Sequence, residues 1–295
     1  ESPLDNKQIV GISTECELCP YEIGLLVAKD AKVIVCDYQY IFNDNIRDKF
    51  LVKIGKELKD IIVIIDEGHN LSARIRDSYT SKLSTITINR AIKEAKKYEN
   101  KRVLRFLNNL FDILLKYSAD LESTREKLVK KDDFCKRVNS VEVYDSIIEE
   151  LEELAVAVKL ERKQSSVESV AKFLRDWSLD DDGYTRIFSK MQTYREDILT
   201  LSYRCLDPSL ISGPIIQKTY STILMSGTLN PTSMYRDLLG FPKNTAEKEY
   251  ESPFDDENKM HLIVPMTTTK FSMRSDVQYE KIGQICADIA NIIPG

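Results

Sequence analysis

The sequence has few of the features that mark membrane or secreted proteins. No apolar run approaches the roughly 18 residues needed to cross a bilayer, and no basic, apolar and small-residue pattern opens the chain. These absences argue against a membrane protein and against a signal peptide. Histidine is also scarce: the chain has two among 295 residues, too far apart in the sequence to propose a metal-binding pair.

A phosphate-binding loop of the form GxxxxGKS or GxxxxGKT is missing too. The most similar segment is Gly55-Lys56. It is followed by Glu57-Leu58 and lacks both the upstream glycine and the hydroxyl residue of the motif. The chain starts at Glu1 and not at a methionine. If the protein acts on a nucleotide, we therefore expect this chain to be an internal piece of a longer protein, because it could not hold a triphosphate by itself.

The composition is that of an ordinary globular protein. A hydrophobic content of 42% and a charged content of 30% allow a substantial core, and the length predicts two or three domains. The net charge of −5 gives no overall basic surface, although a local groove can be basic on an acidic protein. Six scattered cysteines without a signal peptide favour a reducing compartment with free or metal-bound thiols.

Residues 61–69, with the sequence IIVIIDEGH, are the most informative segment. Five β-branched apolar residues predict a buried strand of a parallel sheet, and Asp66, Glu67 and His69 follow it. Open α/β sheets bind ligands at the carboxyl ends of their strands. In P-loop NTPases an acid there holds Mg²⁺, and a neighbouring group positions the attacking water. The segment alone leaves open a second interpretation, an acidic turn and helix cap without catalytic function.

Polar and aromatic residues follow two other predicted strands. Tyr38 and Tyr40 come after the strand 32–36, where they could stack on nucleic-acid bases or pack around the strand end. The strand 223–225 runs into a Ser-Gly-Thr turn, which singly is often only a turn. If this turn and the acid pair end neighbouring strands of one sheet, together they would form a rim that faces the phosphates.

The cysteines allow several interpretations. Cys16 and Cys19 form a CxxC pattern, which fits half of a four-thiolate site, a redox pair or no site at all. An iron–sulfur cluster or a structural zinc would require four thiolates. Cys36, Cys205 and Cys286 fall inside strand or helix patterns and are expected in the core.

Strand signals nearly vanish between residues 80 and 202, where helical periodicity takes over. Segments 89–116 and 141–160 each carry an apolar helical face. The first segment also carries a basic stripe, which is either a solvated face or a nucleic-acid contact. The stripe consists of Lys93, Lys97, Lys101 and Arg105.

Strand and helix signals return near both ends of the chain. Short helices are predicted at 21–29 and 45–58, and residues 1–18 look irregular. After the insertion, the sequence predicts a strand at 260–264 and a helix at 279–292. An α/β domain interrupted by a helical insertion, with a second α/β domain starting near Asn258, accounts for this order.

These motifs, in this order, resemble the XPD family of iron–sulfur superfamily 2 DNA helicases, which includes the bacterial DinG relatives. The order and spacing of the motifs carry the resemblance over most of the chain, apart from the helical insertion. The matching stretches are CPYE (19–22), VIVCDYQYIF (33–42), VIIDEGHN (63–70), CLDPSL (205–210), ILMSGTL (223–229), ESPF (251–254) and FSMRSD (271–276).

The resemblance implies a RecA-like P-loop helicase domain. In this fold a partial parallel sheet is interrupted by an all-helical arch insertion, and a second RecA-like domain begins near the end of the chain. Residues 1–24 would end the iron–sulfur insertion, and residues 25–79 and 205–257 would form the first helicase domain. Residues 80–204 would form the arch, and residues 258–295 would begin the second domain.

The resemblance also implies roles for the candidate residues. Asp66 would bind the Mg²⁺ of ATP, Glu67 would activate water, and His69 completes the catalytic set. The family's Asp-Glu-Ala-His tetrapeptide has Gly68 in place of alanine here. Cys19 matches the last ligand of the family's [4Fe–4S] cluster, with Cys16 as a second candidate. The remaining assignments are nucleotide contacts by Ser226, Gly227 and Thr228 and DNA contacts by Tyr21, Tyr38, Tyr40 and the basic stripe.

The predicted function is that of an ATP-dependent, 5′→3′ DNA helicase of DNA repair, with this chain alone inactive. Its expected partners are single-stranded DNA, duplex junctions and proteins bound to the arch. We expect a monomer without membrane contact in the cytoplasm or nucleoid, or in the nucleus if eukaryotic. The alternative is a non-catalytic interaction module of a repair or transcription complex. A nuclease or phosphatase that uses the acid pair has no obvious further ligands.

Overall fold

The structure is a computed structural model that describes residues 4–119, 121, 125–194, 196–253 and 260–292. The chain divides into two compact units, Glu1–Glu247 and Lys248–Gly295. The described strands are β1 (Ile62–Ile65), β2 (Ser81–Ser84), β3 (Glu126–Leu128), β4 (Tyr184–Gln192), β5 (Asp197–Cys205) and β6 (Ser221–Leu224).

The described α-helices alternate with these strands and also make up most of the segment between β2 and β4. They are α1 (Asn6–Glu15), α2 (Pro20–Asp30), α3 (Gln39–Phe42), α4 (Asp44–Ile54), α5 (Leu71–Ser78), α6 (Thr85–Lys97), α7 (Lys101–Ala119), α8 (Lys131–Asn139), α9 (Tyr144–Glu161), α10 (Ser166–Trp177), α11 (Ser209–Lys218), α12 (Thr232–Leu238) and α13 (Asp276–Ile292).

A parallel pair of strands, β1 and β6, confirms the predicted α/β class with a parallel sheet. Ile62 lies opposite Ser221, and the pairing continues to Ile65 and Leu224. One face of the pair packs on α3, α5 and α11 in a shared apolar cluster. On the other face, the side chains of β1 alternate outward, with Ile64 62% exposed. The two strands therefore bury only one side of the sheet among the described residues.

The prediction of an all-helical insertion is wrong. Between β1 and β6 the chain forms a four-stranded antiparallel sheet of order β2-β5-β4-β3. In β5 the alternate residues Leu199, Leu201, Tyr203 and Cys205 are buried, which is the period of a half-buried strand. The stronger helical periodicity of the flanking segments hides this alternation in the sequence.

The insertion begins and ends at neighbouring strands. Ser81 of β2 lies opposite Tyr203 of β5, and the Cys205 backbone N–H donates to the hydroxyl oxygen of Thr80 at 3.2 Å. The chain thus leaves the parallel pair and returns to it through one antiparallel stem. The domain limits predicted for the arch, 80–204, stay a prediction.

The core of the insertion is continuous and closely packed. The predicted apolar face of 141–160 is confirmed, because every residue of that face in α9 is buried. Segment 89–116 is two helices, α6 and α7, and not one. Phe134 packs against Phe173 and Trp177, with ring centroids 6.3 and 4.8 Å away, and all three side chains are fully buried.

Several local predictions near the chain ends need correction. Residues 6–15 form the helix α1 and not an irregular segment, because Asp5 and Gln8 cap its first turn reciprocally. Residues 32–36 form no strand, and Val35 is 96% exposed. Residues 260–264 form no strand either, whereas the predicted last helix is confirmed as α13. The second-domain start near Asn258 lies outside the described residues.

Candidate active site

The acid pair lies where β1 ends, and its backbone turns sharply. Glu67 adopts a left-handed conformation with φ 49° and ψ 40°. Its N–H donates to the Asp66 carboxylate at 2.9 Å. A left-handed conformation costs a side-chain-bearing residue about 1–3 kcal/mol, so the surrounding contacts must stabilise this turn.

The side chains of Glu67, His69 and Ser226 converge at the carboxyl ends of β1 and β6. The Ser226 hydroxyl donates to Glu67 Oε2 at 3.2 Å and lies 2.7 Å from His69 Nδ1. His69 Nδ1 is also 3.2 Å from Glu67 Oε2. Parallel strands bring their carboxyl ends to the same edge, so this juxtaposition follows from the β1–β6 pairing. The two polar strand ends, which carry the acid pair and the Ser-Gly-Thr turn, therefore lie side by side, as the sequence predicts.

Backbone hydrogen bonds continue the pairing into the two loops. The Met225 N–H donates to the Ile65 carbonyl at 2.9 Å, and the Gly68 N–H donates to the Met225 carbonyl at 2.9 Å. A Cβ added at Gly68 would lie 2.3 Å from Leu224 Cδ1, closer than any ordinary contact. Glycine in place of the family's alanine thus leaves room for the Leu224 side chain.

The Ser-Gly-Thr turn is ordered around the Ser226 hydroxyl. That oxygen accepts a hydrogen bond from the Thr228 N–H at 3.2 Å and lies 3.3 Å from the Thr228 hydroxyl. A Cβ added at Gly227 would meet nothing within 4 Å. The turn presents two hydroxyls and an open backbone at the rim, beside the acid pair.

The three tyrosines predicted to bind DNA lie in different surroundings. The Tyr38 hydroxyl donates to the Asp66 carbonyl at 2.6 Å. The Tyr40 ring packs edge-on against Phe50 with centroids 4.9 Å apart. Tyr21 is 46% exposed, with the Lys53 ammonium 5.2 Å from the centroid of its ring. Burial, followed by the negative charges of Asp66 and Glu67, raises the pKa of Tyr38 above its ordinary value. DNA contact by these tyrosines stays a prediction.

The predicted basic stripe is split between two helices. Lys93 and Lys97 belong to α6, and Lys101 and Arg105 belong to α7. Lys97 forms an ion pair with Glu161, and Arg105 forms one with the nearly buried Glu142. Two of the four cations are therefore engaged by acids of the insertion, and a DNA contact by the stripe also stays a prediction.

Cys16 and Cys19 are both exposed, at the end of α1 and at the start of α2. In the part of the chain that the structure describes, no three His, Cys, Asp or Glu residues are grouped closely enough to hold a metal ion. The described residues therefore do not form a four-thiolate site. Of the three cysteines expected in the core, Cys205 is buried, whereas Cys36 and Cys286 are exposed, contrary to the prediction.

The acid pair and the Ser-Gly-Thr turn lie at the carboxyl ends of two parallel strands, which is where open α/β sheets bind ligands. Comparison with known proteins adds the following similarities. The DEAD_2 family model matches residues 1–88. The resemblance to the XPD family, predicted from the motifs, is confirmed by curated relatives along nearly the whole chain.

Among these relatives is the ATP-dependent DNA helicase XPD of Sulfolobus acidocaldarius, 28% identical, with 95% of this chain and 48% of the helicase covered. Another is the general transcription and DNA repair factor IIH helicase subunit XPD/RAD3 of Saccharomyces cerevisiae, 22% identical over 95% of this chain and 45% of the relative. The chain thus spans about half the length of these two relatives.

The solved structure of Xpd4 from S. tokodaii matches with a TM-score of 0.48 and 20% identity. The match covers 77% of this chain and 52% of that chain.

Within the described residues, none of the helices is both long and apolar enough to cross a membrane.

Proposed function

We propose that this chain is the middle segment of an ATP-dependent DNA helicase. The observation that carries the proposal is the convergence of Glu67, His69 and Ser226 at the ends of β1 and β6. Helicase motifs II and III would meet at this point. The names of the relatives support ATP and DNA as the substrates. We further propose 5′→3′ movement and a role in DNA repair, in the nucleus or nucleoid.

Asp66 and Glu67 have different roles in the proposed ATP hydrolysis. Asp66 lies at the strand end, where its carboxylate would hold Mg²⁺, which neutralises phosphate charge when bound. Glu67 would orient the attacking water and accept its proton. The hydrogen bond from Ser226, with His69 Nδ1 3.2 Å from the same oxygen, would hold the Glu67 carboxylate on the side of motif III. The missing phosphate-binding loop would come from another part of the full-length protein.

The test is Glu67→Gln in the full-length protein. The amide keeps the shape of the side chain and loses the base, so ATP turnover should fall by about a hundredfold or more, while ATP affinity stays within about twofold. The control is Glu99→Gln. Glu99 is an exposed glutamate of the insertion with a similar left-handed backbone, φ 54°, so this variant should hydrolyse ATP at the wild-type rate. Equal losses of affinity and turnover in Glu67→Gln would contradict the division of roles.

We also propose that Cys19 is a thiolate ligand of an iron–sulfur cluster in the full-length protein. The cysteine is exposed and forms no cap bond at the start of α2, so its thiol is accessible to a metal. The remaining ligands would come from outside this chain, with Cys16 as the local alternative. Iron content measured in purified Cys19→Ser and Cys16→Ser proteins tests this assignment. Unchanged iron in Cys19→Ser would overturn it, and a loss of iron in Cys16→Ser alone would favour the alternative.

A further inference from the structure

Tyr38 forms a long-range contact with the backbone of the acid pair. Its hydroxyl donates to the Asp66 carbonyl at 2.6 Å and lies 3.2 Å from the Glu67 carbonyl. Both carbonyls therefore face one hydroxyl group, contributed by a residue 28 positions earlier in the chain. The hydroxyl joins the start of α3 to the turn after β1.

The ring of Tyr38 is held in place independently of this hydroxyl. It is half-buried and packs against the apolar cluster around Phe42, Ile65 and Leu71. Removal of the oxygen would therefore leave the ring in its site and take away only the hydrogen bond. The two properties of this side chain, its aromatic face and its hydroxyl, can be tested separately.

The Tyr38 hydroxyl contacts the backbone of Asp66 and Glu67. The conformation of this backbone determines where the Glu67 carboxylate points. The left-handed Glu67 conformation turns the chain between two carbonyls that both approach the hydroxyl. The same conformation puts Glu67 Oε2 at 3.2 Å from Ser226 Oγ and from His69 Nδ1. A relaxed turn would move the carboxylate away from both partners.

We infer that Tyr38 is a positioning residue for the proposed ATP hydrolysis: its hydroxyl holds the backbone turn that aims the Glu67 carboxylate. This inference rests on the proposed function. It assigns the hydroxyl to the acid pair and leaves DNA stacking, which needs only the ring, as a separate question. A residue that acts by positioning affects turnover more than nucleotide binding.

The experiment compares Tyr38→Phe with wild type in the full-length protein. The loss of one hydrogen bond should lower kcat for ATP about fivefold and leave KM for ATP within about twofold. Single-stranded DNA binding without nucleotide should not change, because phenylalanine keeps the ring. In the present chain, amide hydrogen exchange over residues 66–70 should be faster in the variant than in wild type.

The matched control is Tyr144→Phe, which removes a similar hydroxyl-to-carbonyl bond inside the insertion, from Tyr144 to Leu174 at 2.7 Å. It should leave kcat and the exchange of residues 66–70 unchanged. Wild-type kcat together with unchanged exchange in Tyr38→Phe would overturn the positioning role, as would weaker DNA binding with normal kcat. A wild-type full-length protein without ATP turnover would instead overturn the proposed function, and the role of Tyr38 with it.

Discussion

The insertion and the parallel strand pair of the first unit differ in how completely they bury their apolar residues. In the insertion, helices α6–α10 and the antiparallel sheet share one buried apolar core, and Ile147 is fully buried. In the parallel pair, Ile62 is 55% exposed and Ile64 is 62% exposed. Parallel sheets are normally covered on both faces, so the pair carries an apolar face without a cover among the described residues. The insertion has a closed apolar core, whereas the proposed nucleotide half-site lies at the end of an open strand pair.

The largest effect should appear in ATP turnover by the present chain. The open half-site supplies the acid pair but no phosphate-binding loop, so the triphosphate has neither the backbone donors nor the lysine that hold it. Purified chain should therefore show no DNA-stimulated phosphate release above background in a steady-state assay. The full-length protein assayed beside it should turn over ATP. DNA-stimulated turnover by the chain alone would contradict the helicase assignment.

An isoleucine-to-alanine substitution should lower the free energy of unfolding by very different amounts in the two regions. Ile147→Ala leaves a cavity in the closed core and should lower the free energy of unfolding by about 2–5 kcal/mol. Ile64→Ala removes a largely exposed side chain and should cost less than about 1 kcal/mol. Urea denaturation followed by circular dichroism measures both variants. Equal costs would show that the two regions are equally well covered in solution.

The sequence predicts local features of both regions better than their long-range contacts. The strand before Asp66 and the apolar face of α9 can be predicted from the sequence, because the period of hydrophobic residues and the length of an apolar run are local properties. The β4–β5 hairpin is hidden between strong helical patterns, and β2 pairs with β5 across the whole insertion. The Tyr38 hydrogen bond to Asp66 cannot be derived from a sequence pattern. It depends on how two separate segments pack.

A smaller effect should follow from filling the space at Gly68. Gly68→Ala brings a methyl group against Leu224, so overpacking should cost about 1–3 kcal/mol of unfolding free energy. Adding Leu224→Ala should recover part of that cost, and a double-mutant cycle measures the coupling. The control is Gly24→Ala in α2, where a Cβ meets nothing within 4 Å and should slightly stabilise the helix. Additive effects of the changes at 68 and 224 would mean that the loop relaxes freely.

The smallest effect concerns the acid stability of the closed region. Hydrogen bonds from Arg102 and Arg105 hold the pKa of Glu142 below its usual value. The folded state therefore favours the carboxylate more than the unfolded state does. This stabilisation is fully present above the ordinary glutamate pKa of about 4.3 and is lost as the pH falls through the lower folded value.

Glu142→Gln should therefore lower the melting temperature by a few degrees at pH 7 and by less at pH 3, because pH 3 lies below the ordinary glutamate pKa and part of the stabilisation by the carboxylate is already lost there. Glu153→Gln, at an exposed position of the same insertion, should shift melting little at either pH. Thermal melts of both variants between pH 7 and pH 3 measure the difference. A loss that is equal at both pH values would assign the role of Glu142 to its shape and not to its charge.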